Sequence, residues 1–153
     1  MTNVRGTLEQ VKWHVWLRFG KWELILREPL RKNKTLYPVC IATGLYAKGI
    51  ANAALGRVEE AQRRRLQFTD ALLRVSDDAY LHNVKSIDFL NVAKHMLDGE
   101  ILFRQEQYEN AFDTLRLAVT LEEELPYDEP WGWMVPVRHA LGALLLERGY
   151  RSE

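Results

Sequence analysis

The chain has 153 residues, enough for one domain with a sizeable core, and its 47% hydrophobic and 27% charged residues are ordinary soluble usage. Lys and Arg number 21, as do Asp and Glu, so the formal charge is zero and no global field draws in nucleic acid or an anionic membrane surface. The single cysteine, Cys40, excludes an intramolecular disulfide and a cysteine metal cluster.

Met1 to Gln10 carries charged and polar residues and no signal-type apolar core. No apolar run approaches the roughly 20 residues of a membrane span. The expectation is a soluble, cytoplasmic protein.

In chain order, Leu8, Val11, Val15 and either Trp16 or Phe19 lie at three-to-four spacing and predict a helix over 7–18 with those residues inward. Trp22 to Arg27 reads as a short helix ended by Glu28-Pro29. A polar loop with Arg31, Lys32 and Lys34 follows, and Pro38 can open a helix because its missing amide donor is harmless there. That helix is predicted to reach about Leu55, and its partner to run from Val58 to Val75. Ser76-Asp77-Asp78 marks a break. A third pair is expected from about Lys85 to Gln105 and from Tyr108 to Glu123, the first member with a broad apolar face that includes Leu90, Ala93, Met96 and Leu97. The segment from Leu125 to Trp133 is too rich in proline for a helix. A last helix is predicted from Val135 or Pro136 to Arg148, carrying Val137, Leu141, Leu144 and Leu145.

Within this run a register recurs. Gly49, Gly99 and Gly142 each stand seven residues before the turn positions Gly56, Glu106 and Gly149, and Ala61 and Ala111 stand five residues after the first two. A glycine inside a helix costs about 1 kcal/mol relative to alanine, so three at one register imply close approach of a partner helix. The stretch from Gly49 to Ala61, and Tyr108-Glu109-Asn110-Ala111 with Ala118, resemble the tetratricopeptide repeat, with Phe19-Gly20-Lys21-Trp22 similar to the turn of a more degenerate unit. Turns at Gly20, Gly56, Glu106 and Gly149 are spaced by 36, 50 and 43 residues, longer than the family period of roughly 34. The resemblance implies an all-α superhelix of antiparallel helix hairpins with irregular repeat length, in units near 7–28, 38–75, 85–123 and an incomplete 136–153. The segment Tyr127-Asp128-Glu129-Pro130 with Trp133, Pro136 and Arg138 is also similar to that of a group of bacterial tetratricopeptide-like proteins, a likeness that carries no activity.

Because each unit of such an array buries its face on the next, the unfinished last unit implies either a longer protein or a Leu face, at Leu144 and Leu145, that pairs with another chain. The longer protein is the favoured reading.

Few residues suggest chemistry. Asp88 and His95 share a helix face, a geometry that can orient an imidazole but more often makes a structural hydrogen bond. His95 and Glu100 diverge by about 140 degrees. His14, His82 and His139 share no ligand spacing, and no phosphate loop or nucleophile elbow occurs. Arg63, Arg64 and Arg65 diverge around their helix and, with Arg57 and Arg74, read as a solvated face balanced by Glu59, Glu60 and Asp70. Arg27, Arg31, Lys32 and Lys34 form a second basic patch, equally weak as a nucleic-acid signal.

The segment from Tyr127 to Arg138 concentrates carboxylates, aromatics and a guanidinium, as recognition loops do. The alternative is that Trp131 and Trp133 fill a gap between helix pairs while Asp128 or Glu129 caps the helix near Pro136. The expected function is a scaffold that binds a protein or peptide on the surface lined by the first helices of each pair. Its candidate contacts are Met96, Glu100, Tyr127, Asp128, Glu129, Trp131, Trp133, Arg138 and His139. Self-association through the last unit is a further expectation, and no cofactor, metal, nucleic acid or membrane partner is expected. The rival is an accessory or C-terminal domain of an enzyme, with a small molecule in the same surface and His95, Asp128 or Glu129 in acid-base work; a sealed cavity holding a buried carboxylate would favour it.

Overall fold

The computed structural model describes residues 4–128 and 133–150. Its described residues form seven helices: α1 (Val4–Arg18), α2 (Trp22–Arg27), α3 (Pro38–Ala54), α4 (Val58–Leu72), α5 (Ser86–Arg104), α6 (Tyr108–Glu123) and α7 (Val137–Glu147). Between α4 and α5 lies a small antiparallel ladder, β1 (Tyr80–Leu81) with β2 (Val84–Lys85), pairing Tyr80 with Lys85 and Leu81 with Val84. The sequence reading has no strand there. The ladder is too short for an alternating pattern, and its reversal depends on His82 adopting a φ of 52°. The described residues are thus all-α apart from this ladder, and no described helix is long and apolar enough to cross a membrane.

The C-terminal ends of α1, α3, α5 and α7 have one physical design. At Gly20, Gly56, Glu106 and Gly149 φ is 60°, 74°, 63° and 87°. Each of these residues donates its amide to the carbonyl three back, and the following residue donates five back: Lys21 to Trp16 (2.8 Å), Arg57 to Asn52 (2.8 Å), Gln107 to Leu102 (3.0 Å) and Tyr150 to Leu145 (3.0 Å). This double closure satisfies carbonyls that a helix C-terminus leaves open, and it needs a left-handed residue, which three of the four positions meet with glycine. All four turns fall at the turn positions expected from the sequence.

These turns fold α3 back along α4 and α5 back along α6; α3 also packs on α1, α2 and α5, α4 on α5, and α6 on α7. The main core is built from α3, α4 and α5, with Leu45, Tyr46, Phe68, Phe89, Leu90 and Leu97 among its buried side chains. A second cluster joins Phe103, Phe112 and Leu115 to Leu144 and Leu145 of α7. A third places Trp13 and Ile25 against Ala47 and Ala51.

Two expected helix faces are corrected. Among the described side chains of α1 the buried ones are Gln10, Trp13 and His14, whereas Val15 is 46% exposed and Phe19, just past the helix, is 70% exposed. The indole of Trp13 covers more apolar area than a valine, and that sets the rotation of the helix. On α7, Leu144 and Leu145 are only 5% and 7% exposed, because α5 and α6 cover them within the chain. The exposed leucine there is Leu146.

The register glycines also differ from one another. A Cβ on Gly49 would lie 2.7 Å from Leu97 Cδ1, and one on Gly99 would lie 2.6 Å from Leu115 Cγ. Gly49 therefore admits α5 of the next pair, and Gly99 admits α6 of its own. Gly142 faces open space, so close helix approach does not account for it.

Candidate functional site

The first helices of the pairs come together around a cavity of about 370 Å³. From α1 it takes Leu17 and Arg18, from α3 Tyr46 and Ile50, from α5 Met96, Glu100 and Arg104, and from α7 His139, Ala143 and Glu147. Three of the sequence candidates, Met96, Glu100 and His139, therefore share one groove.

Each is held there by a different force. Met96 is buried beneath the groove, and the fully buried phenol of Tyr46 donates to its Sδ at 3.5 Å. Burial pushes that phenol above the usual tyrosine range, and the nearby carboxylates of Glu100 and Glu122 push it the same way, so it stays protonated. His139 is at the rim, where its Nδ1 accepts from the Arg18 guanidinium and so links α7 to α1.

Glu100 is 9% exposed. Burial raises its carboxyl above the usual range, the Arg104 guanidinium pulls it back, and Glu147 pushes it up again. Arg104 donates from Nε to Glu100 at 3.0 Å and from Nη1 to Glu147 at 2.9 Å. One guanidinium thus serves two carboxylates and ties α5 to α7 across the groove floor.

The remaining candidates lie elsewhere. Trp133, 3% exposed, is wedged edge-on against His14 at 4.7 Å and Tyr46 at 5.3 Å between ring centroids, which packs it between α1 and α3. Tyr127 is 76% exposed, and its carbonyl accepts from Asn83 at 3.5 Å. The buried Asp128 carboxylate stands 3.8 Å from Nδ1 of His82. Arg138 is an exposed partner of Glu123. Glu129 and Trp131 lie outside the described residues.

The first amide of α7 is not capped by Asp128. Glu122 of α6 accepts the Val137 amide at 2.9 Å. Nor does Asp88 orient His95, whose Nδ1 instead donates to the Asn91 carbonyl at 2.8 Å. His95 lines a separate cavity with Arg65 and Asp98, between α4, α5 and α6.

Sequence reasoning did not single out Tyr46, Arg104 or Glu147 as groove residues. Arg104 stands four residues after Glu100, a spacing that puts both on one helix face, and this was the available signal. No protein-family model, curated protein or solved structure matches the chain. Among the described residues no cluster of His, Cys, Asp and Glu is arranged to hold a metal.

Proposed function

We propose that the chain is a binding scaffold of the tetratricopeptide type, which holds a short segment of a protein partner in the groove between α1, α3, α5 and α7. The observation that supports this reading is the composition of that groove. Its walls come mainly from the first helix of every pair, with Trp22 of α2 and Leu115 of α6 beside them. Its floor is apolar at Tyr46, Ile50 and Met96, and its charges at Arg18, Glu100, Arg104 and Glu147 have both signs. Apolar anchors surrounded by charges of both signs suit a peptide side chain with polar flanks. At about 370 Å³ the cavity takes one or two side chains, so affinity has to come from the flanking contacts as well.

The test is a peptide-library selection on the intact chain beside the variant Ala143→Trp. Ala143 is an exposed wall residue, and an indole there fills the groove while leaving the core alone. Selected peptides are expected to lose binding to the variant at least about tenfold. Peptides that bind both proteins equally would place recognition elsewhere.

A small-molecule reading is favoured by one observation, the burial of Glu100 with its raised carboxyl. In this reading Glu100 replaces His95 and Asp128, which line other surfaces, as the acid-base group. A fragment screen read on the groove methyls of Ile50 and Met96, in which fragments bind and selected peptides do not, would favour it over the scaffold.

A further inference from the structure

A second cavity, of about 410 Å³, opens where the loop after α2 passes over α3 and α4. Its floor is apolar, from Leu30, Ile41 and Leu45. Around it stand five cations, Arg31, Lys32 and Lys34 from the loop, Arg64 from α4 and Arg74 from the turn just after it, against a single carboxylate, Asp70. Two basic clusters that look like separate solvated patches along the sequence thus become one rim.

Arg74 already engages Asp70, with Nη2 at 2.8 Å and 2.6 Å from the two carboxylate oxygens. This pairing uses up the only negative charge of the rim. Arg31 lies over the Tyr37 ring at 5.2 Å, which fixes its guanidinium beside the opening. Lys32 and Lys34 make no ion pair with the described residues. Arg64 donates from Nη1 to Gln67 at 2.9 Å, while its Nε is buried with no hydrogen-bond partner among the described residues. A buried donor without an acceptor is costly, of order 1–3 kcal/mol, so the Arg64 guanidinium gains from any acceptor that it turns to meet. The unbalanced charge is also felt nearby: burial first, and then Arg64, hold the Lys48 amine below the usual lysine range. Finally, α3 begins at Pro38 in the cavity wall, so the positive end of a 17-residue helix lies beside the same space.

We propose that this cavity is a second binding site, for a small phosphate monoester carried on an apolar group. The phosphate meets Arg64, Lys32 and Lys34, and the apolar group rests on Leu30, Ile41 and Leu45. Phosphate is the better match than a single carboxylate because several cations remain uncompensated and the guanidinium fork fits its oxygens in pairs. The site is independent of the groove between α1, α3, α5 and α7.

Phenyl phosphate is the probe, titrated into the intact chain and followed by amide NMR shifts. Inorganic phosphate serves as the head alone and benzyl alcohol as the arm alone. Phenyl phosphate is expected to saturate at about millimolar concentration or below, with inorganic phosphate several-fold weaker and benzyl alcohol silent. The double variant Lys32→Glu with Lys34→Glu, on the exposed loop, is expected to weaken binding about tenfold or more with an unchanged melting temperature. Arg64→Met, which keeps most of the stem, is expected to weaken binding to a similar extent. Absence of saturable binding, binding unchanged in both variants, or inorganic phosphate binding as tightly as phenyl phosphate would overturn the proposal.

Discussion

The middle of the molecule and its C-terminal helix share one sequence register, yet they are held by different forces. At Gly49 and Gly99 the backbone of one helix meets leucine side chains of another at distances that leave no room for a methyl group. At Gly142 the same register looks onto open space. Instead, α7 is attached by side chains that reach to it from elsewhere: Glu122 caps its first amide, Arg104 grips Glu147, and Arg18 donates to His139. A glycine at a fixed interval therefore marks two different things. In the middle it is a packing requirement, and at the end it is only a position in a pattern.

The largest effect that separates the two regions is expected at the leucines that dock α7. Leu144→Glu with Leu145→Glu puts two charges into a cluster formed with Phe103, Phe112 and Leu115. The expected loss is about 4 kcal/mol or more, visible as a collapse of the denaturant midpoint. A folded chain with unchanged stability and reduced mass would instead mean that these leucines meet a second copy.

Next comes acid, acting through the tie between α1 and the segment before α7. Burial holds the His14 imidazole down at about 4, against 6.5 when exposed. As pH falls through 6.5 the unfolded chain takes up a proton that the folded one refuses until about 4. The stability present above 6.5 is thus lost across that window, by about 3 kcal/mol in total. His14→Leu is expected to flatten this acid limb in a series of denaturant melts. Glu100 works the other way, since its raised carboxyl lets the folded chain gain a proton first.

The two smallest effects have opposite signs and sharpen the comparison most directly. Gly99→Ala gains helix propensity but drives a methyl group into Leu115 Cγ and to 3.3 Å from the Ala111 carbonyl, for a net loss of about 1–2 kcal/mol. Gly142→Ala meets nothing, so it keeps the propensity gain and raises stability by up to about 1 kcal/mol. Thermal melts of the two variants side by side check both signs. A loss at Gly142 would mean that this face has a partner after all.

Most helix boundaries were legible, because turns, prolines and apolar spacing are local signals. The α2 and α6 spans are those read from the residues, α3 ends one residue early, and α5 and α7 differ by a residue or two at each end. The larger departures are α4, which stops at Leu72 instead of Val75, and α1, which begins at Val4 instead of Thr7. The site was legible only in part. Met96, Glu100 and His139 could be placed on one surface because the alternation of helix pairs puts first helices together, but Arg104 and Glu147 join them through a contact spanning 43 residues. Trp133 was ambiguous in sequence, since an indole is as suited to a core as to a recognition loop.

Sequence by itself determined the order of the helices, the four left-handed turns between and after them, and the absence of net charge. These depend on residue type and near neighbours, where one glycine or proline decides the backbone. Tertiary structure alone decided which face of α1 turns inward, which register glycine is packed, and which helix supplies the cap of α7. It also decided that Lys48 of α3 would donate to the Ile25 and Leu26 carbonyls, at 2.8 Å and 2.7 Å, and so close the six-residue helix α2. Such choices compare areas buried and charges paired between segments far apart in the chain, and no local pattern contains that comparison.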